Sequence, residues 1–242
     1  ALYGTIHEGG HGLYEQCIPE MFARGPLAEA ASFGFHESQS RFYENIIGRS
    51  YSFWEAWFKE WQAAFNVSHD LGMEDVYKYV NVVKPSLIRV EADEITYNLH
   101  IVIRYKIEKM LISGELSPAN IPDLWNELYK KYLGISPQQD SEGVLQDIHW
   151  AAGLFGYFPT YTIGNLMSVL LKNQLEKELK PLNTLILAGE YLEIKEWFRN
   201  KIYVYGKRKK PLELLRMICN SGLTSEPFLN YIQEKYKNLL VL

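Results

Sequence analysis

Residues 4–16 read GTIHEGGHGLYEQ, and they contain the pattern H-E-x-x-H as His7, Glu8 and His11. On a helix, residues four apart share a face, with Cβ atoms roughly 6 Å apart. Two imidazoles spaced this way can meet one metal ion, and the intervening glutamate can take the proton of an attacking water. The reading therefore predicts a helix here, with His7 and His11 as ligands and Glu8 as general base. Gly9, Gly10 and Gly12 sharpen it. Each costs a helix interior about 1 kcal/mol relative to alanine, so three together predict a close approach to the backbone. A loop is the alternative.

Working outward, a hydrolytic site of this kind needs a third protein ligand. Glu37 lies 26 residues beyond His11, in FGFHESQSRFYENIIGRS (residues 33–50). That is far enough for a second helix to pack across the first. Glu37 reads as the third ligand or as a surface acid. Its neighbour His36 reads as a fourth ligand, a substrate contact or a hydrogen-bond donor behind a ligand.

The rest of the chain is dominated by helical periodicity. Trp54, Trp57, Phe58, Trp61 and Phe65 form one broad stripe. Leu124, Trp125, Leu128, Tyr129 and Tyr132 form another, with Pro122 before it and Gly134 as C-cap. Further helices are expected over 193–206, over 211–222 ending at Gly222, and over 225–240 behind Ser225. The β-rich run Lys78–Val83, closed by Pro85, predicts a short strand or ribbon. The fold class is thus mostly α, one helical domain over residues 1–242, with one short β ribbon at most.

Composition narrows the function. The 242 residues carry a net charge of −4 with no strong bias along the chain, which gives no support for a nucleic-acid surface. The one basic cluster, Gly206–Pro211, reads as a solvated turn between helices. No apolar run approaches a membrane span. Cys17 and Cys219 form no disulfide framework, so a reducing cytoplasm fits. His69 and His100 read as ordinary surface or core histidines. There is no G-x-S-x-G nucleophile motif. Ala1 already stands inside an expected helix, so the chain reads as a fragment whose N-terminal part is absent.

Four blocks in order carry a family resemblance. They are His7 to Gln16 (HExGHxxYEQ), His36 to Arg41 (HESQSR), Ile88 to Asp93 (IRxxAD) and Gly143 to Trp150 (GxxQDxHW). Together they resemble the carboxypeptidase Taq family of HExxH metallocarboxypeptidases, in their C-terminal part. The resemblance implies a large helical gluzincin-type peptidase domain in a chain about twice this long. It implies His7, His11 and Glu37 as metal ligands and Glu8 as general base and acid. It also implies zinc, with cobalt able to serve, and a homodimer. In the wider thermolysin-like pattern an aspartate follows the glutamate ligand by four residues and orients a histidine. Here that position is Arg41, so the orienting group must come from elsewhere.

The substrate side is read from GVLQDIHWAAGLFGYFPTYTIGN (residues 143–165). Donors aimed at the scissile carbonyl oxygen contribute about 3–4 kcal/mol each. Related gluzincins use a histidine and a downstream tyrosine for this, so His149 and Tyr161 are expected in the role, with Tyr157 as substitute. Each tyrosine also reads as a core or wall residue. Gln146 and Asp147 are expected to hold the segment. Arg89 is expected to clamp the free carboxylate of a peptide, or else to pair internally with Glu91 or Asp93. The expected function is a metal-dependent carboxypeptidase. Alternatives are an endo-acting oligopeptidase on the same scaffold and a non-catalytic helical or dimerisation module. An isolated fragment is expected to be weakly active or inactive.

Overall fold

The computed structural model describes residues 1–68 and 70–239, so the expectation for His69 lies outside the described residues. Eleven α-helices run through them: α1 Leu2–Cys17, α2 Phe33–Arg41, α3 Tyr51–Phe65, α4 Met73–Val80, α5 Tyr97–Ser113, α6 Ile121–Leu133, α7 Pro159–Glu178, α8 Leu182–Leu187, α9 Tyr191–Lys201, α10 Pro211–Cys219 and α11 Glu226–Leu239. No strand occurs among the described residues. Lys78–Val83 is not a ribbon: α4 continues through Val80, and the residues beyond are irregular. The helix buries Val76 and Tyr77, and this burial overrides the local β preference of valine and tyrosine.

Two compact units are present, Ala1–Val80 with Ile163–Leu242, and Asn81–Thr162. In the first, one core gathers Tyr14 of α1, Phe35 of α2, Phe42 and Ile46 beyond it, Leu171 of α7, Phe198 of α9 and Leu215 of α10. In the second, Ile103 and Ile107 of α5 pack with Trp125, Leu128 and Tyr129 of α6. His100 is fully buried there, with Nδ1 on the Tyr129 hydroxyl at 3.0 Å.

Helix ends follow their caps. Ser32 Oγ accepts from Phe35 N at 3.1 Å and starts α2. Gly134, at φ +74°, closes α6 in the left-handed conformation, and Pro122 sits inside its first turn. α10 stops at Asn220, φ +53°, two residues before the glycine expected to end it. Asparagine tolerates this conformation, so the stop does not need glycine. In the aromatic stripe of α3 only Trp54 is buried, while Trp57 and Phe65 are exposed. The basic cluster is a turn in which Lys207 pairs with the distant Glu29 and Lys209 with the nearby Glu213.

The decisive packing is that of α2. Its central residues Ser38, Gln39 and Ser40 are polar and fully buried, yet each is bonded. Ser38 Oγ donates to Phe35 O at 2.7 Å, and Ser40 Oγ to Glu37 O at 2.8 Å. Gln39 Oε1 accepts from the Tyr203 hydroxyl at 2.8 Å. A helix this polar can be buried only with such partners. Two glycines admit its neighbours. A Cβ on Gly10 of α1 would stand 2.6 Å from Ser40 Cα, and one on Gly164 of α7 would stand 2.6 Å from Glu37 Cγ.

Gly10 therefore serves a close approach, whereas a Cβ on Gly9 would meet nothing within 4 Å. Gly10→Ala should destabilise by about 1–3 kcal/mol through overpacking. Gly9→Ala should gain up to about 1 kcal/mol of helix propensity. Urea unfolding of the two variants checks this, and a Gly10→Ala chain as stable as its parent would contradict it.

Candidate metal centre

The predicted helix over H-E-x-x-H is α1, and His7 and His11 lie one turn apart on it with ring centroids 4.8 Å apart. Glu37, on α2 and nearly fully buried, brings Oε2 to 3.8 Å from His7 Nε2 and 3.6 Å from His11 Nε2. One donor atom from each of the three lies within 4.8 Å of the others. Tetrahedral coordination with bonds of about 2.0–2.1 Å separates ligands by roughly 3.3 Å, so the two Glu37 distances need only a few tenths of an ångström of closure, and the outer bound of 4.8 Å on the set leaves the imidazoles to move toward each other by more. The donors are two imidazole nitrogens and one carboxylate oxygen, and they fit a divalent cation.

Each donor is aimed by a neighbour. His7 Nδ1 bonds Glu44 Oε2 at 2.8 Å, which turns Nε2 toward the site. Arg41 Nε donates to Glu37 Oε1 at 2.7 Å, leaving Oε2 for the imidazoles, and its Nη1 donates to Glu44 Oε2 at 3.2 Å. Arg49 Nη2 reaches Glu44 Oε1 at 3.5 Å. Burial pushes the Glu44 carboxyl up, but the His7 bond and the Arg41 and Arg49 charges outweigh it and hold its pKa below the usual carboxylate range. His11 is driven down to about 4, first by burial and then by the adjacent His36 and His7. It is thus neutral, as a ligand must be, well below neutral pH.

Glu44 is the residue the sequence reading missed. It supplies the orientation that Arg41 does not, seven residues after Glu37. It lies in a stretch of wider π-helical turns, Phe42–Ile47, directly after α2. A second carboxylate two turns beyond the first was the available signal. His36 turns away from the three donors: Nδ1 meets His11 Nδ1 and Nε2 meets Glu15 Oε1 at 2.7 Å. Glu8 is exposed on α1. No hydrogen bond or ion pair holds its carboxylate among the described residues.

The remaining candidates belong to the Asn81–Thr162 unit. His149 Nε2 and the Tyr161 hydroxyl are 2.9 Å apart. The Tyr157 ring lies 5.4 Å from His149 and 5.5 Å from Tyr161. Burial, and then Arg89, keep His149 below the usual histidine pKa. Arg89 pairs with neither Glu91 nor Asp93. Its Nε and Nη2 donate to Asp147 Oδ1 at 3.0 and 2.7 Å, and its Nη1 to the Tyr97 hydroxyl at 2.9 Å. Arg104 donates to Asp147 Oδ2 at 2.7 Å and to Gln146 Oε1 at 2.8 Å. Gln146 Oε1 also accepts from Arg89 N at 2.8 Å. Gln146 and Asp147 thereby anchor the segment that carries His149.

Glu44→Gln should weaken divalent-metal affinity about 10–100-fold, the usual effect of removing a carboxylate behind a ligating histidine. Chelator competition measures this, and an unchanged Kd would remove Glu44 from the site.

The sequence profile of the carboxypeptidase Taq (M32) metallopeptidase family matches residues 1–236. Carboxypeptidase 1 of Bacillus subtilis is 47% identical over 100% of this chain and 48% of its own length. Thermostable carboxypeptidase 1 of Thermus thermophilus is 46% identical over 98% and 47%. Among solved structures, the M32 carboxypeptidase of Deinococcus radiodurans R1 superposes with a TM-score of 0.96 at 38% identity, over 100% of this chain and 49% of that one. Trypanosoma cruzi metallocarboxypeptidase 1 gives a TM-score of 0.93 at 36% identity, over 98% and 50%. The chain spans about half the length of the curated relatives it matches. The ordered motifs, the three convergent donors and these likenesses agree: the chain belongs to the carboxypeptidase Taq (M32) family of metallopeptidases.

Proposed function

We propose that this chain carries the metal-binding half of a carboxypeptidase that removes C-terminal amino acids from peptides with a free carboxylate. The supporting observation is the convergence of His7, His11 and Glu37 on one point, with Glu8 beside them on α1. Two imidazoles and a carboxylate are a typical catalytic zinc set, and we assign zinc as the ion, with cobalt able to replace it. When bound, the ion supplies Lewis acidity that polarises a peptide carbonyl and acidifies water.

The residues of the chain do the rest. His7 and His11 would hold the ion through ring nitrogens, and Glu37 through a carboxylate oxygen. Glu8, unencumbered on the exposed face of α1, takes the proton of the attacking water and delivers it to the leaving amine. Within their own unit His149 and Tyr161 form a hydrogen-bonded pair of the kind that can donate to a developing oxyanion. Arg89 is assigned here to fixing Asp147 and the His149 segment, because its guanidinium is engaged by Asp147 and Tyr97. That replaces the role of clamping the substrate carboxylate. The family resemblance further implies a homodimer, and the two unpaired cysteines fit a reducing cytoplasm.

Glu8→Gln should leave metal content unchanged and lower kcat about 100–10,000-fold, the span of a lost general base. Full activity in that variant would overturn the proton-transfer role. A matched pair of peptides with free and amidated C-termini separates exo- from endo-cleavage. Hydrolysis of the free form alone is expected, and equal hydrolysis of both would contradict the carboxypeptidase reading.

A further inference from the structure

His7, His11 and Glu15 occupy positions i, i+4 and i+8 of α1, one stripe along the helix. His7 is backed directly by Glu44. His11 has no carboxylate on its Nδ1. It has His36, from α2, whose far nitrogen rests on Glu15 Oε1 at 2.7 Å. The His36 ring is stacked against Tyr14 at 5.6 Å between centroids, with 21° between planes. Tyr14 is itself fully buried, and its hydroxyl accepts from Ala31 N at 3.0 Å, so the ring plane of His36 is fixed.

We propose that Glu15 acts on the metal centre through His36, as the outer end of a hydrogen-bonded relay Glu15–His36–His11. The proposal rests on the metal reading above. The proton positions follow from that reading alone. Coordination through His11 Nε2 requires a lone pair there, so the proton of His11 sits on Nδ1. His11 Nδ1–H then donates to His36 Nδ1, which must be unprotonated. The His36 proton is therefore on Nε2, and it donates to the Glu15 carboxylate. The charge on Glu15 polarises both imidazoles in series and raises the basicity of the ligating nitrogen. Both histidine ligands are thus backed by a carboxylate, His7 at first hand and His11 at one remove. The same geometry accounts for His36 without a substrate contact or a fourth ligand, since both its ring nitrogens are already engaged.

Glu15 is about half exposed, so its substitution leaves the core intact. The test is zinc and cobalt affinity by chelator competition on the chain as it stands, for the parent, Glu15→Ala, Glu15→Gln, His36→Phe and the double variant Glu15→Ala/His36→Phe. Glu15→Ala should weaken binding threefold or more. Glu15→Gln, which still accepts the His36 proton, should weaken it less than Glu15→Ala does. Adding Glu15→Ala to His36→Phe should change Kd by less than threefold, because the path is already cut. A parent that binds while Glu15→Ala stays within threefold of it overturns the relay and leaves the metal site standing. So does an undiminished Glu15 effect in the His36→Phe background. A parent that binds no divalent ion overturns both. Should His36→Phe fail to fold, histidine-selective 15N NMR of the metal-loaded parent decides: a proton on His36 Nε2 is expected, and one on Nδ1 is contradictory.

Discussion

The site depends on one buried carboxylate held at a fixed angle. Glu37 is an ionisable side chain with almost no access to water, and such a group is costly unless it is paired and bonded. Arg41, one turn along α2, takes Oε1, and Oε2 is left facing two imidazoles. Backbone packing keeps the geometry in place: α1 and α7 approach α2 so closely that Gly10 and Gly164 have no room for a methyl group. The glycines, the buried Ser-Gln-Ser run and the Arg41–Glu37 pair are one device, and its product is the position of a single oxygen atom.

Around that oxygen the chain repeats one electrostatic idea. His7 leans on Glu44, Glu37 on Arg41, and Arg41 with Arg49 keeps Glu44 charged. In the Asn81–Thr162 unit the pattern recurs with opposite emphasis. There Arg89 and Arg104 grip Asp147, so that the guanidinium charges, aided by hydrogen bonds to Gln146, fix the segment leading to His149. Charges inside a protein are expensive singly and stiff in networks, and both units use networks.

Much of this was legible in the sequence because it is local. Residues four apart on a helix are neighbours whatever the tertiary fold, so His7 and His11 could be paired on sight. Three glycines announced a close contact, but only the rotation of α1 against α2 selects Gly10 over Gly9. Glu44 was overlooked although it stands two turns after Glu37, because its partner His7 is 37 residues away on another helix and no local rule pairs the two. The partner of Arg89 is 58 residues away, beyond any local rule. The ribbon expected over Lys78–Val83 failed for the usual reason: the preference of valine and tyrosine for strands is weaker than the burial of Val76 and Tyr77 on a helix. The resemblance of four ordered motifs carried the family assignment, and the coordinates explain why those motifs hold the residues they do.

The central claim is that His7, His11 and Glu37 close on one divalent cation. X-ray absorption spectroscopy of the zinc-loaded chain measures that shell directly. The account predicts one ion per chain with two imidazole nitrogens and a carboxylate oxygen at about 2.0–2.2 Å, and loss of the oxygen ligand's signature in Glu37→Ala. A shell without imidazole scattering, or one unchanged by Glu37→Ala, would contradict it.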